Sequence, residues 1–272
     1  MANFTAKDVQ ELRRETGAGM LDAKRALEES GGDREAAKRW LRVQGLAGSA
    51  KREGREALQG LVSIRQDGSV AALVEVRCET DFVAKSPELV SLGDAVAGHL
   101  LSVKGDSQEE LTSAVLEVFE EQLEHLKATL KENISLGTVA RVEAGPGEVL
   151  GSYLHTQAGR GVNGVIVTLA GGTPELAHDV AVHIAFGKPK YLSRDEVPPE
   201  EVEAERETIE ETAKREGKPE PAMAKIIEGR LNAWYQERCL LEQKFVRDES
   251  KTVSSLLGDA RVTGFVQVVV GS

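Results

Sequence analysis

The chain has 272 residues, 40% of them hydrophobic, 29% charged and only 4% aromatic, with a net charge of −11. That length predicts two or three modules, while the acidic balance opposes general nucleic-acid binding, which depends on cations against phosphate. No apolar run approaches the roughly 18 residues of a membrane span, and the opening MANFTAKDVQELRRETG lacks the basic start and apolar stretch of a secretory signal, so cytoplasmic residence is expected.

The first 45 residues predict three short helices. Thr5 is a helix N-cap with Asp8 three residues on, Val9 and Leu12 supply an apolar face, and Gly17 ends the helix. A second helix, from about Met20 to Glu29, offers Leu21, Ala23, Ala26 and Leu27 for packing before Gly31-Gly32 breaks it. Asp33 caps a third, which packs Ala37, Trp40 and Leu41 and stops near Gly45. A basic, glycine-interrupted stretch, 46–56, then reads as a linker or a short connecting helix, closing a module at 1–55. That module carries 12 Lys/Arg against 9 Asp/Glu and the remainder 22 against 36, a split of +3 and −14. A solvated basic face is the commoner meaning of such a bias, with an acidic partner surface as the sharper one.

From Ala57 the period changes to that of strands. LVSIRQDGSVAALVEVRCE predicts a hairpin about a type I′ turn at Asp67-Gly68. Thr80 to Lys85 interrupts the pattern, and Ser86-Pro87 opens a helix through about Ser102. A longer helix, from about Ser107 to Glu132, carries Leu111, Val115, Val118, Phe119, Leu123 and Leu126. The order then recurs: strands in LGTVARVEA, EVLGSYLH and VNGVIVTLA precede a helix from about Pro174 to Phe186. Two α+β subdomains, 56–138 and 139–272, follow from that repetition. Within the second, residues 198–239 predict two antiparallel helices joined at Gly217-Lys218-Pro219, a projecting hairpin, and VTGFVQVVV is a final strand.

The search for catalytic chemistry finds nothing specific. Gly159, Gly161 and Gly164 spell GxGxxG, but strands lie on both sides where a dinucleotide site needs a helix, so a hairpin loop is the better reading. There is no GxxxxGK[ST], and His99, His125, His155, His178 and His183 form no metal signature, so neither a cofactor nor a metal is expected. Cys78 and Cys239 read as packing residues. Three features stand out: Phe82 beside polar Thr80 and Asp81, where a core phenylalanine is the commoner role; TGAGMLDAKRAL, whose glycines allow a tight turn presenting Met20 and Lys24; and the acidic helical hairpin. A helix-turn-helix reading of the first module is opposed by the overall charge and by the lack of a basic recognition helix, and a hydrolase using His155 has no triad context.

Taken in order, TGAGMLDAKRAL, CETDFVAKSPEL, KENISL, GSYLH, VHIAFGKPKYL, EGKPE, IIEGRL and SKTVSSLL resemble bacterial elongation factor Ts over nearly the whole chain. The resemblance implies an α+β fold: an N-terminal three-helix ubiquitin-associated-like domain, then a core of two α+β subdomains with an inserted helical hairpin. It also implies a guanine-nucleotide exchange factor, not an enzyme, whose partner is the translational GTPase elongation factor Tu (EF-Tu), bound most tightly when nucleotide-free. In the family the motif here formed by Thr80, Asp81, Phe82 and Val83 is pushed against the GTPase domain and displaces Mg²⁺, loosening GDP. By position Arg13, Met20 and Lys24 contact the same domain, and His155, Val246 and Arg247 lie in core contacts.

Overall fold

The computed structural model describes residues 4–272. Three helices come first: α1 (Ala6–Thr16), α2 (Met20–Glu29) and α3 (Arg34–Ala50). Thr5 and Asp8 form the expected reciprocal cap on α1, and the side chain of Asp33 accepts from the Ala36 amide to start α3. Val9, Leu12, Ala23, Ala26, Leu27 and Ala37 make a small buried core with Trp40 and Leu41 packed against it. Leu21, expected in that core, is instead exposed, because it falls on the outer face of α2 beside Met20. The third helix also does not stop at Gly45. It runs to Ala50, and Gly45 serves close approach: a β-carbon there would come within 2.6 Å of the Ala128 β-carbon.

The core holds two three-stranded antiparallel sheets. The first consists of β1 (Gln59–Asp67), β2 (Val70–Cys78) and β3 (Ser135–Glu143), and the second of β4 (Glu148–Gln157), β5 (Arg160–Ala170) and β8 (Arg261–Val269). One-turn α4 (Asp81–Ala84), then α5 (Pro87–Leu100) and α6 (Gln108–Leu130), lie between β2 and β3, and α7 (Pro174–Gly187) follows β5. The strand in LGTVARVEA, read as opening the second subdomain, pairs with β2 and completes the first sheet. A run of apolar residues signals a strand without saying which sheet edge will take it.

Helices α5 and α6 cover one face of the first sheet, and α7 with the short α10 (Val253–Leu257) covers one face of the second. The remaining faces meet through Val62, Leu73, Leu150, Ile166 and Val268, a helix–sheet–sheet–helix order. Gly161 and Gly164 lie at that seam. Added β-carbons would fall 2.1 Å from the Val62 carbonyl oxygen and 2.6 Å from Val62 Cγ1, so the GxGxxG spacing records sheet packing. Val118, counted among the apolar positions of α6, is exposed.

The turns differ from one another. Asp67 pairs with Val70, so the first hairpin turns on Gly68-Ser69, and only Gly68 has a positive φ, 55°. That is not the type I′ turn expected at Asp67-Gly68, which needs two positive φ values. Ala158-Gly159, between Gln157 and Arg160, has both, at 52° and 82°.

Two antiparallel helices, α8 (Pro199–Arg215) and α9 (Glu220–Arg238), project as a hairpin with Ile209, Ala213, Met223, Ile227, Leu231 and Trp234 along its seam. A two-stranded ribbon, β6 (Lys244–Phe245) and β7 (Asp248–Thr252), then turns at Val246-Arg247.

Candidate functional site

Where β2 ends, the chain must turn away from the sheet and satisfy its backbone elsewhere. The Glu79 and Thr80 amides both donate to Glu132 Oε2, each at 3.0 Å, and the Thr80 hydroxyl donates to the other oxygen of the same carboxylate. Thr80 Oγ1 in turn accepts from the Val83 amide at 3.3 Å and caps α4. Reciprocally, the Asn133 amide donates to Glu79 at 2.6 Å, and Asn133 Nδ2 donates to the Arg55 carbonyl at 2.7 Å. Beneath this turn Ala84 is buried and Val83 packs on the first core, while the Cys78 thiol faces the Thr80 carbonyl and is pushed up to about 12 by burial. It is a neutral packing residue.

Phe82 is what this bracing leaves outside. It is 82% exposed, so the reading of it as a core phenylalanine is overturned. A phenylalanine facing water on a one-turn helix with two anchored ends contributes nothing to the core beneath it. Asp81 pairs with Lys85, whose hydrogen bond holds the carboxyl below its usual range, with the Arg160 guanidinium adding in the same direction. The tip therefore presents an aromatic ring next to a charged carboxylate.

The end of α6 ties this tip to the N-terminal module. Within four residues, Thr129 lies against Gly17, Lys131 pairs with Asp22 at 2.6 Å, and Glu132 holds Thr80. The first half of α2, which carries Met20 and Lys24, and the Phe82 tip thus rest on one helix terminus. Met20 is 48% exposed, while Lys24 is exposed with Glu28 at 3.6 Å. Arg13 is exposed on α1.

The remaining candidates gather around α7. His155 is exposed on β4, with Nδ1 3.3 Å from the Tyr153 hydroxyl and its ring 6.1 Å from that of Phe186. Arg247 pairs with Asp179, and Val246 is 43% exposed. Phe186 and Asp179 are both on α7, so one helix links the two segments. Arg160, in the hairpin that bears His155, donates to the Gly60 carbonyl and to Gln59 Oε1, joining this half to β1.

Sequence reasoning missed Glu132, Arg160 and Phe186. Phe186 was visible as a large aromatic at a helix end, whereas the other two act across 52 and 100 residues of chain and have no local signal. Among the described residues no cluster of three or more His, Cys, Asp or Glu is placed to hold a metal, and no described helix is long and apolar enough to cross a membrane.

Comparison with known proteins decides what this arrangement belongs to. A family model described as elongation factor TS matches residues 79–272. Elongation factor Ts of Kineococcus radiotolerans is 44% identical over 278 aligned residues, spanning all of both chains. That of Paenarthrobacter aurescens is 41% identical over 271, covering 96% of each, and that of Arthrobacter sp. strain FB24 is 41% identical over 283, covering both in full. The chain belongs to the elongation factor Ts family. As elongation factor Ts it is an exchange factor, not an enzyme: its partner is EF-Tu, and its activity is nucleotide exchange in translation elongation. The absence of a catalytic constellation from the sequence then has a plain cause, since the partner holds the nucleotide.

Proposed function

We propose that the Thr80–Val83 tip carries out the exchange step by wedging Phe82 and Asp81 into the partner, where they disrupt the Mg²⁺ and phosphate site of EF-Tu. A GTPase holds GDP through backbone amides and an ion that neutralises phosphate charge, so dislodging the ion leaves a repulsive, weak diphosphate site. The observation that carries this reading is an 82% exposed phenylalanine on a turn held at its entry by Glu132 and Asn133 and at its exit by Val83 and Ala84 packed on the core. A wedge must keep its shape under load, and a side chain exposed in the free protein has burial energy still to gain.

Burying one phenylalanine is worth about 1.5–3 kcal/mol, and about 1.4 kcal/mol is tenfold, so Phe82 supplies on the order of a hundredfold. The rest of the affinity comes from elsewhere in this reading: Arg13, Met20 and Lys24 on the 1–55 module, and His155, Val246 and Arg247 on the core. Binding of nucleotide and of the exchange factor are then reciprocal, and the incoming nucleotide expels the factor. We place this work in the cytoplasm.

The test is the rate of labelled GDP release from EF-Tu. Phe82→Ala should slow it by roughly a hundredfold, and chelating Mg²⁺ should close most of the gap between variant and wild type. Full activity in Phe82→Ala removes the wedge. A gap that persists without Mg²⁺ removes the ion as its target.

A further inference from the structure

His183 is 2% exposed, in the last turns of α7, and both of its ring nitrogens are committed. Nδ1 lies 3.2 Å from the Val246 amide, which can only donate, so Nδ1 accepts. The proton therefore sits on Nε2, which donates to Gln243 Oε1 at 3.0 Å. The Gln243 orientation is fixed independently, because its Nε2 donates to the Gly187 and Glu237 carbonyls at 2.9 and 2.8 Å. The ring is also packed on buried Phe245, with centroids 5.9 Å apart. Burial pushes the imidazole below its ordinary 6.5, which keeps it neutral and the acceptor available.

These bonds end on the two-residue turn between β6 and β7. That turn belongs to a ribbon only two residues deep on one side, too short to set its own geometry. Its shape comes from α7: Asp179 pairs with Arg247, and His183, one turn further along, holds the Val246 amide. Gln243 extends the same network to the last turn of α9, at the base of the helical hairpin.

We propose that His183 is a positioning residue for EF-Tu binding: as a neutral acceptor it sets the Val246-Arg247 turn in the conformation that meets the partner. The proposal rests on the reading that this turn contacts EF-Tu. His183 itself, being buried, touches nothing outside the chain.

Two near-isosteric substitutions separate its two bonds. In His183→Asn the amide oxygen takes the place of Nδ1 and keeps the acceptor for Val246. In His183→Gln the amide nitrogen takes the place of Nε2, keeping the bond to Gln243 and losing the one to Val246. Affinity for nucleotide-free EF-Tu should fall about tenfold in His183→Gln, the loss of one well-placed contact, and be restored in His183→Asn. Hydrogen exchange at the Val246 amide should rise in the first and not in the second. In a Val246→Ala/Arg247→Ala background, His183→Gln should weaken binding no further. Equal losses in the two single variants, unchanged exchange at Val246, or full additivity would each overturn the positioning role. Wild-type affinity in Val246→Ala/Arg247→Ala would instead overturn the contact reading, with the amide-exchange result still deciding what His183 holds.

Discussion

The Phe82 tip and the Val246-Arg247 turn are both short connections that keep an apolar side chain in water, yet they are braced in opposite ways. The tip is held by a carboxylate: Glu132 accepts from two consecutive amides and the Thr80 hydroxyl in a partly exposed setting. The turn is held by a neutral ring, His183, buried under the ribbon. A charged acceptor makes stronger hydrogen bonds and needs water or cations nearby to remain ionised, whereas a neutral acceptor tolerates burial and fails once protonated. The turn should therefore loosen on acidification.

The largest expected effect comes from breaking the joint between the two regions. Gly161→Val places a side chain against the Val62 carbonyl, within 2.1 Å at the β-carbon, where backbone must move. We expect roughly 3 kcal/mol of destabilisation, about 6–12 °C in Tm by calorimetry. A Tm within a degree of wild type would mean the sheets are not tightly seated on one another.

Glu132→Ala attacks the tip alone. Water can reach the freed amides, so the stability cost should be about 1 kcal/mol, while exchange on EF-Tu falls roughly tenfold as Phe82 loses its fixed direction. Retained activity in GDP-release kinetics would show that the wedge needs no brace.

Acidification sharpens the contrast at the turn. The folded-state value of His183 lies below its ordinary 6.5, so the unfolded chain takes up the proton first. The stability linked to the neutral ring is fully present above about 6.5 and is lost as pH falls through the lower folded value. Urea midpoints should accordingly drop more steeply on acidification in wild type than in His183→Asn, and parallel curves would exclude the linkage.

The smallest effect is expected at the seam with the N-terminal module. Asp22 and Lys131 form an exposed pair, so Lys131→Ala should cost less than about 1 kcal/mol and change exchange by about twofold or less. A tenfold loss would show that docking of the module on α6 sets the spacing between Met20 and Phe82.

What the sequence determined by itself was local. Caps at Thr5, Asp33 and Ser86 start helices where expected, because a side-chain oxygen three residues from an orphan amide is a short-range event. Alternation and turn residues likewise announced the strands, and the succession of motifs announced the family. Side-chain exposure at Leu21, Val118 and Phe82 was not legible, since each is apolar and only the arrangement of neighbouring elements decides which face is covered. Nor was the partner of β3, because several edges could accept the same strand, nor the end of α3, where Gly45 answers to Ala128 on a distant helix. The bracing of the site was least legible of all. Glu132 reaches Thr80 across 52 residues and His183 reaches Val246 across 63, and bonds of that span exist only once the sheets and helices have packed.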